Sequence, residues 1–500
     1  MKNQIHASID VLTPKVSHVY SKGICQPPYD SRGVERGITH RQFYKHSILS
    51  GLVVVLFFAA TLMAKAQIEV STLAGNDSKG SLIAAIKLAN AQKADPAKPV
   101  IIRFAKQLSG AIVLSMDLPA IENHISFVGN VANGKPTITI DGSVNPAINQ
   151  GIKGGISPGF RLFLIKGSKT VSFENLIVTK SNQSGVFNEG GTVTVKNCMF
   201  ILNMGIGREL GSAGAIQNEG GNLTVIGSYF NHNIGGVGGS EGGIGFGGGG
   251  GISVINGNAV VINSSFIDND GGYGGIGVGS VGGAGAIMAI RSNVSVANCT
   301  VAGNFGGDCL VTAAAGGFVL VGGNMLVQQS TIVNNSGGMG YGGFGGIDLC
   351  SGGAHVLAGT LTLGGTIFVG NINGKDEDTD VDVLTDAELR SSGNNLTGIG
   401  HEALNGAGDV SGVELQQVVA TTSEGKFQSS ILSGFLPTVG LTAGSPAKNQ
   451  SVGIKSISPV SSTDVSAKFF ADSWNMYGSL LQADQNGTKR AAKPSIGAVE

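Results

Sequence analysis

Five acidic residues have the types and spacing that carbohydrate chemistry uses. Asp268 and Asp270 flank a single asparagine, Asp308 follows in a similar context, and Glu189 and Glu219 occupy two matching Asn-Glu-Gly-Gly segments. Enzymatic hydrolysis of a glycosidic bond needs two carboxyl groups on either side of that bond. Lyase chemistry also needs a basic residue that moves a proton. These five residues are therefore the candidates for an acidic patch.

The basic residues nearest to this patch do not share its spacing. Arg208 and Arg291 fall in or beside predicted loops, and no Lys or Arg is expected in a stacked position on the central strands. Motifs typical of pectin-active hydrolases are absent. We therefore predict no catalytic residues, and a polysaccharide lyase or hydrolase stays the alternative.

Signals for metals and cofactors are weak. DEDTDVD (376–382) is rich in oxygen ligands but lacks the spacing of an EF-hand, which favours a solvated acidic loop. GIGFGG (243–248) matches a dinucleotide motif, but a strand rather than a helix is predicted to follow it. His232 and His355 are isolated and are expected at surface or loop positions. We predict no metal site and no cofactor.

Composition limits the class of protein. The chain of 500 residues has 82 glycines, 13 prolines, a hydrophobic fraction of 41% and a formal net charge of −1. Glycine is far above its usual ~7%, but it lacks the three-residue period of collagen. The apolar fraction is sufficient for a packed core. Because the net charge is close to zero, we expect no nucleic-acid partner.

Residues 1–66 have the character of an export presequence. A net basic segment precedes an apolar core at 48–63, and small residues follow it, so cleavage is predicted after Ala66. A retained membrane anchor is the alternative, although the apolar run is shorter than the ~20 residues that span a bilayer. The mature chain is expected outside the cell or on the outer-membrane surface of a bacterium.

The acidic candidates lie within an internal repeat. A pattern of twelve residues has apolar residues at positions two, four and nine, a small residue at position seven and asparagine at position twelve. Alternation of this kind is typical of a half-buried strand. The starts are 22 to 36 residues apart, which fits one coil of a parallel β-solenoid with about three short strands. After a weaker copy at Thr170, the windows begin at Thr192, Asn222, Asn258, Asn293, Asn324 and Thr360.

The last position of each window predicts an asparagine ladder. Equivalent residues of stacked coils lie about 4.8 Å apart, so their amides can donate and accept along the stack. We interpret the column as structural rather than as a row of catalytic amides. Its members are Asn203, Asn233, Asn269, Asn304, Asn335 and Asn371.

Glycine-rich insertions fall between each ladder asparagine and the next strand. In the richest one, 234–251, twelve of eighteen residues are glycine. Because the insertions occur at one point of every coil, they are expected to stack into one exposed, uncharged face. Cys309 and Cys350 lie in these insertions, and export would permit a disulfide between them.

The two ends of the chain depart from the repeat. GSLIAAIKLANAQ (80–92) is predicted to form an amphipathic capping helix with Ser81 as its N-cap. After the presequence we divide the chain into a cap with the first coils (67–169), regular repeats (170–375), and an acidic loop with closing coils and a C-terminal module (376–500).

Several motifs resemble bacterial secreted right-handed parallel β-helix repeat proteins. EVSTLAGNDSKGSLIAAIKLANA is similar to the start of that family, and AGAIQNEGGNLTVIGSYFNHN to its coils. LTAGSPAKNQ (441–450) and DQNGTKRAAKPSIGAVE (484–500) resemble its terminal module, except that Ser495 stands where an aspartate commonly precedes IGA. The resemblance covers about 68–500.

This resemblance implies an all-β fold: a single right-handed parallel β-helix with an N-terminal capping helix and glycine-rich loops on one face. The family overlaps polymorphic outer-membrane proteins, autotransporter passengers and adhesin-like proteins, and it shares its fold with pectin and pectate lyases. We expect no transporter barrel after Glu500. The implied function is non-catalytic adhesion or binding of an extracellular glycan or of a surface protein on a host or neighbouring cell. Oligomeric state is not predicted.

Overall fold

Most of the described strands between Gln67 and Thr397 stack coil upon coil in long parallel sheets. The computed structural model describes residues 67–143, 160–340 without 208, 240–244, 276, 278, 310–311 and 313, 351–423 without 376 and 378, 427–430, 435–450, 469–472 without 471, 480–491, and 494–499. The predicted signal core and its cleavage point at Ala66 lie outside these residues. Within the described residues, no helix has the length and apolar character needed to cross a membrane.

The elements follow the chain in three groups. The opening group comprises β1 (Gln67–Val70), α1 (Leu82–Asn90), β2 (Val100–Phe104), β3 (Gly110–Val113), β4 (Ile125–Val128), β5 (Val131–Ala132), β6 (Lys135–Pro136) and β7 (Ile138–Asp141). The regular coils comprise β8 (Phe163–Lys166), β9 (Thr170–Glu174), β10 (Leu176–Thr179), β11 (Val186–Glu189), β12 (Thr192–Lys196), β13 (Met199–Ile201), β14 (Ile216–Glu219), β15 (Asn222–Ile226), β16 (Tyr229–Asn231), β17 (Ile252–Ile255), β18 (Asn258–Ile262), β19 (Ser265–Ile267), β20 (Ile287–Ala297), β21 (Thr300–Ala302), β22 (Phe318–Gln328), β23 (Thr331–Val333), β24 (Ala354–Gly364) and β25 (Ile367–Val369). The closing group comprises β26 (Val381–Val383), β27 (Ala387–Ser391), β28 (Leu396–Thr397), α2 (Leu415–Val418), β29 (Ser429–Ser430), β30 (Thr438–Val439) and a 3₁₀ turn (Leu480–Gln482).

Two long parallel sheets confirm the predicted right-handed parallel β-helix. A 16-stranded sheet contains β1 at one end and β8 at another, and a 10-stranded sheet runs from β3 to β28. Thr192 pairs with Asn222, Asn222 with Asn258, and so on to Thr360, so every window start is in register. The coils differ from the prediction in one respect. From β20 onward, two of the three expected short strands join into one strand of 11 residues that passes through a corner.

The predicted capping helix is present as α1. The Ser81 hydroxyl accepts a hydrogen bond from the Ala84 amide at 3.2 Å, which supplies one of the partners that a helix N-terminus lacks. Leu82, Ile86 and Ala89 are fully buried and pack in the same core as Val70 of β1. The helix therefore covers the apolar end of the first coil.

The ladder asparagines form a continuous buried chain, which we call the buried ladder. The amide nitrogen of Asn203 donates to the side-chain oxygen of Asn233 at 2.9 Å, and the same bond repeats through Asn371. Each amide also donates to a main-chain carbonyl, as Asn269 does to Phe230 at 3.0 Å. Each side-chain oxygen additionally accepts the preceding asparagine's backbone amide. All hydrogen-bonding capacity of these amides is therefore used.

The buried ladder ends on a carboxylate. One oxygen of Asp380 accepts the side-chain and backbone N–H groups of Asn371 at 2.9 and 3.3 Å. The other accepts the amides of Gly398 and Ile399 at 2.6 and 3.1 Å. Burial raises the pKa of Asp380 to about 6, although these hydrogen bonds lower it. The last residue of the stack thus joins the regular coils to the closing segment.

A second asparagine chain lies on the outside of the 16-stranded sheet, at the first position of the windows. Asn258 donates to Asn222 at 3.0 Å, Asn293 to Asn258 at 3.2 Å, and Asn324 to Asn293 at 3.2 Å. We call these four residues the surface ladder. They range from exposed to half-buried, so water can reach them.

The glycine-rich insertions form a closely packed double layer rather than an open face. The outgoing and returning halves of successive insertions hydrogen-bond through their backbones: Gly248 donates to Gly236, Gly272 to Gly248, and Gly283 to Gly272, each at 2.8 Å. A Cβ on Gly271 would overlap the carbonyl oxygen of Gly283, so a larger residue cannot fit. Most of these glycines are buried, which corrects the expectation of an exposed face.

The C-terminal module packs across the outside of the 10-stranded sheet. The Gln485 side chain donates to Ser265 and accepts from Thr300, both at 2.6 Å. Ile496 and Val439 are fully buried in an apolar cluster with residues of β19 to β25. The module therefore covers the later coils of this sheet and adds groups to the surface beside them.

Candidate functional site

Two columns of outward-facing residues flank the buried ladder, and we call this surface the ladder corner. One column precedes the asparagines and the other follows them. The preceding column is Leu202, His232, Asp268, Gly303, Asn334 and Gly370, and the following column is Met204, Ile234, Asp270, Phe305, Ser336 and Ile372. Parallel bridges hold the second column in register, including Ile234 to Asp270 and Asp270 to Phe305.

The chain can turn at this corner because the preceding column adopts left-handed backbone. The φ values are 51° at His232, 53° at Asp268 and 66° at Gly303. Asp, Asn and Gly tolerate this region better than other residues do. The turn points Asn269 into the core and leaves the side chains of Asp268 and Asp270 outside, one on each side of it.

The carboxyl groups of the ladder corner influence one another. Partial burial raises the pKa of Asp268, and the imidazole of His232 lowers it. Partial burial also raises the pKa of Asp270, the imidazole of His232 lowers it, and the charges of Asp268 and Asp308 raise it further. Burial, and then the charge of Asp268, raises the pKa of Tyr229 to about 12. The corner therefore concentrates negative charge with one imidazole beside it.

Asp308 enters this cluster from the adjoining insertion. Its carboxylate accepts the backbone amide of Met339 at 2.8 Å, and its carbonyl accepts the amide of Gly274 at 2.9 Å. These bonds tie Asp308 to the insertions above and below it. Met339 is 55% exposed, so an apolar side chain lies next to this carboxylate.

Two aromatic rings lie one coil above the carboxylates. Phe305, which stacks on Asp270, is 53% exposed. Gly303, in the coil above Asp268, leaves space for a ring from the C-terminal module. A Cβ on Gly303 would lie 2.7 Å from an oxygen of Asp268 and 3.0 Å from Cε1 of Phe427, so that ring and that carboxylate are close neighbours. The corner thus presents two rings above two carboxylates.

The other two acidic candidates lie at a different corner, between β11 or β14 and the strand that follows. Glu189 pairs with Glu219 on one side and with Lys166 on the other. Gln217 donates to the Glu219 carboxylate at 3.0 Å. Since two strands separate this corner from the next ladder residue along the chain, as β12 and β13 do between Glu189 and Asn203, the five acidic residues form two groups rather than one patch.

The arginines and histidines that were candidates for a site lie at different places in the fold. Arg291 donates to the side chain of Asn256 at 2.9 Å and follows Ile290, which lies in the same register column as Glu219, two coils further along; Arg208 lies outside the described residues. His232 is exposed, but His355 is fully buried in β24, 3.4 Å from Asp382, so its expected surface position is wrong. The register partner of His355 in β22, Val319, packs with Ala314 and Ala315 of an insertion, so insertion residues cover the outer side of this row of strands.

Cysteine and metal chemistry add nothing further to the corner. Cys198 and Cys299 are buried thiols whose pKa is raised to about 12 by burial. Cys350 lies outside the described residues, so its pairing with Cys309 stays a prediction. Among the residues that are described, no group of three or more His, Cys, Asp or Glu side chains could hold a metal ion.

Comparison with known proteins gives distantly similar solved structures but no family. No protein-family model matches the chain, and no curated protein is significantly similar to it. The crystal structure of pectate lyase Pel9A is 15% identical, with 87% of this chain and 96% of that chain covered and a TM-score of 0.43. A Geobacillus virus E2 protein, ORF18, is 10% identical over 71% of this chain and 65% of its own, with a TM-score of 0.19. The strand register carries the β-helix assignment.

Sequence reasoning missed both aromatic rings and the lysine beside Glu189. Phe305 directly follows the ladder residue Asn304, so a comparison of the residues after each ladder asparagine would have found it. Phe427 comes from more than a hundred residues away in the chain, and no local pattern links it to Gly303. Lys166 precedes the first full twelve-residue window, so the repeat pattern does not align it with Glu189.

Proposed function

We propose that the mature protein is exported to the bacterial cell surface or the extracellular space and binds an uncharged glycan at the ladder corner without catalysing its cleavage. Adhesion to a glycan-bearing surface is the role that follows. The observation that carries the proposal is the exposed ring of Phe305 directly above Asp270, beside the ring of Phe427 over Gly303.

The chemistry of these groups suits a sugar ring. An aromatic face contacts the apolar C–H face of a pyranose, and pairs of this kind contribute beyond the area that they bury. Asp268 and Asp270 offer carboxylate oxygens as acceptors for hydroxyl groups, and charged acceptors make the stronger hydrogen bonds. The parallel bridges on both sides of Asp270 hold these groups on a rigid stack, which lowers the entropic cost of binding.

Charge selects among glycans. Three carboxylates on one corner repel a polyuronate such as pectate, because like charges brought together cost free energy. An uncharged glycan meets no such repulsion. The resemblance to adhesin-like repeat proteins supports the same class of function.

The openness of the corner favours binding over catalysis. His232, Ile234, Asp270 and Phe305 are all exposed. Acid–base catalysis on a glycosidic bond gains from a site that excludes water and holds its carboxyl groups around the bond. An exposed corner with a single imidazole offers neither.

A glycan array followed by titration calorimetry tests this proposal. Phe305→Ala should raise the Kd for the selected glycan about tenfold, since roughly 1.4 kcal/mol of contact is lost. Val113→Ala is the matched control, because Val113 is 54% exposed on another strand. Binding of polygalacturonate in preference to neutral glycans, or equal loss in both variants, would contradict it.

One observation favours a carbohydrate-active enzyme as the second candidate. Lys166, Glu189 and Glu219 are consecutive partners on adjacent strands, which brings a base and two carboxyl groups to one corner. Assays for reducing sugars and unsaturated products, with Glu189→Gln as control, decide between the candidates. Turnover that is lost in Glu189→Gln would replace the binding proposal.

A further inference from the structure

The first residue of the first strand is a glutamine that follows the predicted signal cleavage point. Removal of residues 1–66 would leave Gln67 as the N-terminal residue. Gln67 begins β1 and pairs with Ile101 of β2. The predicted processing site therefore lies directly before the first residue that the structure describes.

The local structure leaves the Gln67 side chain available for chemistry. The residue is exposed, and within the described part of the chain its carboxamide makes no hydrogen bond. The next inward-facing residue, Val70, is fully buried. The strand is thus held in place while its first side chain stays free to fold back on its own main-chain nitrogen.

We propose that Gln67 of the exported protein is converted to pyroglutamate. The α-amino nitrogen attacks the side-chain Cδ, a nitrogen–carbon bond forms, and the bond from Cδ to Nε2 breaks. One proton of the amine leaves with Nε2 as ammonia, so no oxidant or further reactant is needed. Because both groups belong to one residue, the step closes a five-membered ring and has the advantage of proximity.

Pyroglutamate is compatible with the first position of β1. Cyclisation removes the positive charge of an α-ammonium group from the first strand of the sheet. The lactam nitrogen keeps one N–H, as a peptide nitrogen does. Aminopeptidases need a free amine, so the strand that covers the first coil with α1 becomes resistant to trimming from its end.

The inference rests on the export proposed above but not on glycan binding. The test is mass spectrometry of the N-terminal peptide from the full chain secreted by a bacterial host. We expect a peptide that begins at residue 67, is blocked to Edman sequencing and is lighter than the unmodified peptide by one ammonia. A free amine on Gln67, or an N-terminus at another residue, would overturn the inference.

Gln67→Ala provides the control, because alanine cannot cyclise. This variant should begin with a free amine and be trimmed by an aminopeptidase, whereas the natural protein should resist until pyroglutamyl peptidase is added. Equal trimming of both proteins would contradict the inference. Glycan binding of Gln67→Ala should equal that of the natural protein, so failure of the two proposals can be told apart.

Discussion

The buried ladder and the surface ladder use the same side chain in the same stacking geometry but differ in access to water. In the buried ladder each amide donates to the next asparagine and to a main-chain carbonyl, and its oxygen accepts two N–H groups. In the surface ladder neighbouring amides are linked in the same way, but these residues are exposed or half-buried, so water can reach them. Water can replace a partner at the surface and not in the core, so the cost of losing one amide should differ greatly.

The largest expected effect is therefore at the middle of the buried ladder. Asn269→Ala removes partners from Asn233, Asn304 and the Phe230 carbonyl, and these buried groups stay without replacement. We expect the free energy of unfolding to fall by about 3 kcal/mol in urea titrations. Asn258→Ala, in the surface ladder, is the matched control and should cost about 0.5 kcal/mol. Equal costs would remove the distinction between the ladders.

A second contrast separates packed from open glycines. Gly271→Ala places a methyl group on the Gly283 carbonyl oxygen, whereas a Cβ on Gly444 meets nothing within 4 Å. We expect a loss of about 2 kcal/mol for Gly271→Ala and almost none for Gly444→Ala in the same titration. A neutral Gly271→Ala would mean that the two halves of the insertions do not pack as described.

The end of the buried ladder makes stability depend on pH. The pKa of Asp380 is raised by burial to about 6 from an ordinary value of 3.8. The folded state therefore holds this proton more tightly than the unfolded state. The resulting stability is present below pH 4 and is lost as pH rises through 6. We expect a contribution of about 3 kcal/mol across this range.

Urea titrations between pH 4 and pH 7 test this linkage. In Asp380→Asn the fall in stability over this range should be reduced by the same amount, because the titrating group is gone. An unchanged pH profile in Asp380→Asn would show that other groups cause the fall.

Much of the fold was predictable because the aligned columns of the repeat indicate which residues pair between neighbouring coils. Alternating apolar residues marked the strands, and a column of asparagines aligned the coils from Asn203 to Asn371. The helix at 82–90 followed from its N-cap and its apolar face. These are local patterns whose period matches the structure that they form.

The site was less predictable, since its parts meet only after folding. Asp380 continues the ladder from outside the twelve-residue pattern, nine residues after Asn371. Glycine has no side chain whose polarity would indicate burial, so the sequence did not predict that the insertions are buried. The approach of Phe427 to Gly303 depends on the C-terminal module, which carries no repeat.

The most direct test of the account is a double-mutant cycle on the two rings of the ladder corner. The Kd for the selected glycan would be measured for the natural protein, Phe305→Ala, Phe427→Ala and the double variant. If both rings hold one ligand, each single change should weaken binding about tenfold, and the double change should depart from additivity by at least about 0.5 kcal/mol. Strictly additive effects, or binding unchanged in either single variant, would contradict a shared site.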